Sequence, residues 1–382
     1  MSAPVPFAVA VPDAVLADLR ERLARVRWPD EVPGSGWSYG TDLQTMKDLV
    51  AYWRDGFDWR AREADLNAWP QFVVPLDGID VHFIHAKGVG PNPMPLLLSH
   101  GWPGSIVEFQ KILPRLTDPA RFGGDARDAF TVVAPSLPGY GFSFRANQRR
   151  VDLKVVADMF ARLMTGVLGY ARFGAQGGDW GAFVTTCLGA FHAPHLTGIH
   201  VTMLAAGRDG TPNVPPTDDE RRYLDQLKQW EREETGYQWI QGTKPQTLAY
   251  GLTDSPVGLL AWILEKFRTW TDCKGDVIEH IGRDTLLTNV TVYWATGAIN
   301  SSFWPYYWRR HERWPIARDQ RIAVPAGYAA FPKEILHVPR AWAERTYDIR
   351  RWTVMPSGGH FAALEEPAAL AADIAEFFRP LR

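Results

Sequence analysis

At 382 residues the chain is too long for one minimal domain and suits either one large domain with an insertion or two domains. With 46% hydrophobic and 22% charged residues it can bury a sizeable core, and a net charge of −2 supplies no basic field for nucleic acid or an anionic membrane. No run approaches the roughly 18 apolar residues of a membrane span, and the two cysteines, Cys187 and Cys273, make no disulfide framework, which points to a reduced, cytoplasmic setting.

The amino terminus through Ala10 is apolar but broken by proline and lacks a basic flank, so it does not read as a signal peptide. Residues 12–27 follow as a helix, with Pro12 and Asp13 in its first turn and Val15, Leu16, Leu19, Leu23 and Val26 on one face. A second helix is expected over 43–57, with Leu43, Met46, Leu49, Val50 and Trp53 inward. Residues 1–69 thus form a helical extension that wraps something else. Residues 71–76 and 79–85, joined by Asp77-Gly78, read as a β-hairpin. Buried strands are expected at 96–100 and 130–134, with a helix from about Ser105 between them. A long amphipathic helix over 153–168 precedes strands at 172–176 and 196–203. Short apolar strands alternating with helices predict an α/β fold with a mostly parallel sheet over 70–205. From 206 to 318 the alternation stops. Helical patterns at 218–234, 237–241, 259–270 and 286–303 predict an inserted helical lid. The sheet resumes at 321–325 and 351–355, and an amphipathic helix over 367–378 completes the core, 319–382.

Gly177-Gly178-Asp179-Trp180-Gly181 lies between the strand at 172–176 and an apolar, helix-forming stretch from Ala182. A strand, a glycine-flanked residue and a helix make the setting of a nucleophile elbow, whose G-x-S-x-G pattern here carries Asp179 at the serine position. A carboxylate lifted onto that turn can attack carbon and form an ester. Taken alone, the five residues read equally well as an aspartate capping the next helix. In such a sheet the reactive groups gather at the carboxyl ends of the strands. His360, in Gly358-Gly359-His360-Phe361, follows the last strand and can reach the elbow as a base. Glu334 follows the preceding strand and would orient the imidazole and stabilise its cation. Asp348 is the rival acid, but it lies just before the last strand, at the wrong end of the sheet. His100-Gly101-Trp102-Pro103 follows a central strand and can give a backbone N–H to an oxyanion. Pro103 has none, so the donor is Trp102, together with Trp180 after the nucleophile. Its plainer reading is a tight turn with a buried His100. Nucleophile, acid and histidine occur in the order expected of an α/β-hydrolase. Gly139-Tyr140-Gly141 completes no dinucleotide fingerprint, and His192 and His195 lack a third ligand. There is no H-E-x-x-H and no P-loop, so neither metal nor cofactor is expected.

With these residues in place, the chain resembles an epoxide hydrolase of the microsomal-type branch of the α/β-hydrolases along nearly its whole length. The marks are Arg27-Trp28-Pro29, His100-Gly-Trp-Pro-Gly-Ser105, Pro138-Gly-Tyr-Gly-Phe-Ser143, the Asp179 elbow, Thr243-Lys-Pro245, Asp254-Ser-Pro-Val-Gly258, Phe331-Pro-Lys-Glu334 and Gly358-Gly-His-Phe361. The resemblance implies Asp179 as nucleophile, His360 and Glu334 as base and acid, and two lid tyrosines on the epoxide oxygen. These match Tyr237 and Tyr306, with Tyr307 adjacent to the second. It also implies a small apolar epoxide and water as the reacting partners. The chain lacks the anchor helix of membrane-bound members, which implies a soluble enzyme. A haloalkane dehalogenase also uses an elbow aspartate followed by tryptophan, but it has no helical extension and no need of paired tyrosines. A binding protein on a hydrolase scaffold would have lost part of this set. Whether the chain forms a homodimer stays open.

Overall fold

The computed structural model describes residues 3–205, 215–317 and 319–382. Among these, nine strands form one sheet: β1 (Val5–Phe7), β2 (Gln71–Leu76), β3 (Ile79–Ala86), β4 (Met94–Ser99), β5 (Phe130–Pro135), β6 (Phe173–Gly177), β7 (Leu196–Val201), β8 (Ile322–Ala330) and β9 (Tyr347–Val354). Their order is β1-β2-β3-β5-β4-β6-β7-β8-β9. The first three strands and β5 pair antiparallel, and every pairing from β5 to β9 is parallel. The central strands are covered on both faces, which is why Leu96-Leu97-Leu98 and Val132-Val133-Ala134 read as unbroken apolar runs. The β2–β3 turn has Asp77 and Gly78 both at positive φ, 49° and 77°, the backbone a two-residue hairpin demands.

Several elements depart from the sequence reading. Residues 1–69 read as a helical extension, yet their first residues include β1, which adds to the sheet through β2. The helix expected from Ser105 is a single 3₁₀ turn, Ile106–Phe109, capped by the Ser105 side chain. Gly297, at φ 70°, splits the expected 286–303 helix into Arg283–Thr296 and Ile299–Ser302. Strands β8 and β9 run longer than their apolar cores, so Asp348 lies inside β9, near its amino end.

The helices Asp13–Ala24, Leu43–Asp55 and Trp59–Asn67 are tied down at two levels. Glu63 is buried and accepts from the Val11 N–H at 2.7 Å and the Trp59 indole at 3.0 Å, so a charged residue organises the turn of chain around it. Asn67 exchanges two 2.8 Å bonds with the backbone of Val9. Further on, Tyr52 donates to Asp284 at 2.7 Å and Trp53 to Thr291 at 3.1 Å. The extension therefore braces the helix Arg283–Thr296, on which the site depends below. Between β7 and β8 the described residues 215–317 form helices and turns and no strand. The expected lid limits at 206 and 318, with residues 206–214, lie outside the described residues.

Candidate active site

Strand β6 ends at Gly177 and the helix Asp179–Phe191 starts two residues later. A reversal this sharp leaves no room for side chains at its flanks. A Cβ on Gly177 would strike the Gly181 carbonyl, and one on Gly181 would strike the Ser99 carbonyl of β4. Gly181→Ala is therefore expected to destabilise the fold by roughly 1–3 kcal/mol, the usual cost of overpacking. An unchanged urea midpoint would show that helix and strand can part. Asp179 itself has φ 48°, a left-handed conformation that is uncommon outside glycine and tends to cluster at functional sites.

The Asp179 carboxylate points across the turn. Its Oδ1 accepts the Trp102 N–H at 2.7 Å, and its Cγ lies 2.6 Å from where a Gly101 Cβ would be, so only glycine admits it. Its Oδ2 is 3.4 Å from His360 Nε2. His360 Nδ1 donates to Glu334 Oε1 at 2.6 Å, and that oxygen also takes the Ile335 N–H at 2.6 Å. The loops bearing His360 and Glu334 are joined by a parallel bridge between Lys333 and Gly359, with Lys333 N–H donating to the Gly358 carbonyl at 3.1 Å. Burial alone would pull the His360 pKa down, but the carboxylates of Glu334 and Asp179 outweigh it and hold the imidazole well above its ordinary value. Asp348 stands apart, bonded to Arg350 at 2.9 Å.

Trp102 presents its N–H from a loop fixed by distant residues. Asn289 donates to the Pro103 carbonyl at 2.8 Å and accepts from Ser105 Oγ at 2.7 Å, while the Tyr293 hydroxyl donates to the Gly104 carbonyl at 2.8 Å. Both anchors ride on Arg283–Thr296. His100 is a brace: Nε2 accepts the Leu137 N–H at 3.2 Å, Nδ1 donates to Gly101, and burial lowers its pKa to about 4. Trp180 N–H belongs to the first turn of its helix, ahead of the first helical bond, Ala182 N–H to Gly178.

Tyr237, on the helix Gly236–Thr243, and Tyr306, on Trp304–His311, come together over this loop. Their rings are 5.6 Å apart. Tyr237 stacks on Trp102 at 5.4 Å, and Tyr306 meets Trp102 and Trp180 edge-on at 5.7 and 4.8 Å. Burial, then the neighbouring Tyr237 and the Asp179 charge, push the Tyr306 pKa well above its ordinary value. Tyr307 turns the other way, stacking on Trp304 and His311.

The sequence reading passed over four residues here: Asn289, Tyr293, Trp270 and Glu108. Trp270 meets His360 edge-on at 5.1 Å and its carbonyl accepts the His360 N–H at 2.9 Å. One tryptophan among seventeen carries no mark of that duty. Beside Trp180 and Tyr306 opens a cleft of about 460 Å³, lined by apolar side chains that include Phe183, Met203 and Trp314 and by the polar Gln238, Arg309 and Arg310. His192 and His195 bond Asp158 and the Ala171 carbonyl, and among the described residues no cluster of His, Cys, Asp or Glu is placed to hold a metal. Nor, among them, is any helix long and apolar enough to cross a membrane.

Known proteins share both sequence and fold with this chain. The family described as "Epoxide hydrolase N terminus" matches residues 4–109, and that described as "alpha/beta hydrolase fold" matches residues 94–255. Epoxide hydrolase 1 of Oryctolagus cuniculus is 40% identical over 97% of this chain and 88% of its own length. The epoxide hydrolase structure from Aspergillus niger superposes with a TM-score of 0.87 at 30% identity, covering 100% of this chain and 97% of that one. Juvenile hormone epoxide hydrolase from the silkworm Bombyx mori gives 0.89 at 30% identity, covering 100% and 95%. With identity and shape running the full length, the chain belongs to the epoxide hydrolase family, enzymes built on the α/β-hydrolase fold.

Proposed function

We propose that this epoxide hydrolase opens its substrate through an alkyl ester on Asp179. Oδ2 attacks one epoxide carbon while the carbon–oxygen bond on that carbon breaks. The departing oxygen takes a proton from the phenol of Tyr237 or Tyr306, the other phenol remaining hydrogen-bonded to it. Oδ1, held by Trp102 N–H, is left as the ester carbonyl. Esterification removes the Asp179 charge, one of the two that favour the imidazolium, so His360 yields its proton and the phenolate recovers one. Neutral His360, oriented by Glu334, then takes a proton from water as that water adds to Cγ. The oxyanion forms on Oδ1 beside the Trp102 and Trp180 N–H groups. Its collapse releases the diol, and the regenerated carboxylate restores the imidazolium.

The observation that carries this reading is the Asp179 carboxylate itself, with one oxygen on a backbone donor at 2.7 Å and the other 3.4 Å from His360. We take 206–318 as a lid over the core 70–205 and 319–382, with 1–69 as its brace. The cleft beside Tyr306, lined by apolar side chains on one part and by Gln238, Arg309 and Arg310 on another, receives the rest of a small epoxide. A dehalogenase would have no use for two phenols converging at that point. A single turnover in heavy-oxygen water tests the scheme. The oxygen added to the first diol should come from the Asp179 carboxylate and be unlabelled, and full label in that diol would sink it.

A further inference from the structure

We propose that Glu108 is a second group on the hydrolytic water, taking the hydrogen bond that His360 does not. The inference rests on the reading of Asp179 and His360 given above. Glu108 lies in the 3₁₀ turn that follows the Trp102 loop, and its carboxyl folds back onto that loop. A Cβ on Gly104 would lie 2.5 Å from Glu108 Cδ, just as one on Gly101 would press on the Asp179 carboxyl. The chain bends at Trp102 and Pro103, so the two carboxyls flank a single bend.

The electrostatics agree with that placement. Glu108 feels the charges of both His360 and Asp179, and Tyr293, which anchors Gly104, feels Glu108 and Asp179. Burial, together with Asp179 and against the pull of His360, raises the Glu108 pKa to about 8, so the group is neutral at pH 7. The residue is packed within the protein yet keeps part of its surface accessible to water. Among the described residues its carboxyl makes no hydrogen bond and no ion pair. Buried carboxyls are normally bonded, and a neutral one can both give and accept.

The hydrolysis step has a matching need. The attacking water must aim a lone pair at Asp179 Cγ while one of its protons passes to His360. Its other proton needs an acceptor, or the molecule is free to turn. The carbonyl oxygen of a neutral Glu108 accepts it without placing a second full charge beside the forming oxyanion. Glu108 would then touch the attacking water but not the epoxide, so it should act on one of the two chemical steps.

The test separates those steps by rapid mixing with a good epoxide and quantifying the covalent protein species by mass. Glu108→Met fills the same space without polar atoms. Glu108→Gln keeps a neutral donor and acceptor. Glu108→Met is expected to form ester within about threefold of the wild-type rate but to hydrolyse it roughly 10- to 100-fold more slowly, short of the 10²–10⁴ of a proton-transferring group. Glu108→Gln should recover most of that loss. Equal slowing of both steps would mark Glu108 as a prop for the loop and overturn the proposal, as would wild-type hydrolysis in Glu108→Met. Should Glu108→Met fail to fold, a crystal of the wild-type enzyme decides. A water bridging the Glu108 carboxyl and His360 is expected, and its absence overturns the assignment. If wild-type enzyme forms no covalent species at all, the ester scheme fails instead.

Discussion

His360→Gln is expected to leave the substrate fixed to the protein. Ester formation needs no general base, because a carboxylate of ordinary acidity is already an anion at neutral pH. Hydrolysis needs one, because water is a poor nucleophile until a proton leaves it. Glutamine fills much of the imidazole's space but cannot take that proton. The hydrolysis step should fall by at least the 10²–10⁴ typical of a positioned base, while alkylation continues. Intact-protein mass spectrometry should find the mutant heavier by one substrate. An unmodified mutant after incubation with good substrate would count against this division of labour. The same account fixes the sign of the pH dependence. In the free enzyme, burial opposes the imidazolium but Glu334 and Asp179 together hold its pKa well above the usual range. The ester keeps Glu334 and loses the Asp179 charge, so the His360 pKa falls. A base must be neutral, so hydrolysis of preformed ester should weaken as pH drops through this lower value. The midpoint of that acid limb should lie below the His360 pKa measured by NMR in free enzyme. A midpoint at or above it would mean that the Asp179 charge does not govern the histidine.

How much of this was legible in the sequence depended on how local each cause is. The elbow is local: glycines on both sides of Asp179 are demanded by backbone atoms a few residues away in the turn or on the neighbouring strand. Glu334 and His360 were legible because successive strands of a parallel sheet deliver their following loops to one edge. Tyr237 and Tyr306 came from the resemblance, since nothing in their spacing says that the two helices bearing them converge. The supports of the Trp102 loop were not legible. Asn289 bonds Pro103 across 186 residues and Tyr293 bonds Gly104 across 189, both from a helix that is buried on every side from Leu286 to Tyr293, so no face of its sequence marks the loop. Glu108 was missed for the opposite reason. A glutamate at the start of an expected helix reads as solvated, and only its fold back onto Gly104 buries it. Strand β1 is three residues with two exposed, too short for any alternation to register.

The Tyr237→Phe, Tyr306→Phe double change should nearly abolish ester formation while sparing ester breakdown. An epoxide oxygen leaves as an alkoxide, a poor leaving group unless a proton or hydrogen bond reaches it as the bond breaks. A phenol can provide both, and Tyr306 stays protonated at any working pH because burial, Tyr237 and Asp179 all raise its pKa. The two rings lie 5.6 Å apart and both pack on Trp102, whose N–H holds Asp179. Two phenols packed on the loop that holds Asp179 can, in the proposed scheme, serve one oxygen. Many aromatics pack in this region, so a purely structural role has to be separated from a chemical one. Phenylalanine keeps the ring and the stacking and removes only the hydroxyl. Each single change should slow alkylation by roughly 10²–10⁴-fold, the range for a positioned acid. Hydrolysis of ester formed beforehand should change little, since its proton transfer runs through His360. Tyr307→Phe should match wild type in both steps, because that ring stacks on Trp304 and His311. If Tyr307→Phe alone slows alkylation, the second donor has been placed one residue early. If neither Tyr237→Phe nor Tyr306→Phe does, the epoxide oxygen is activated elsewhere in the site.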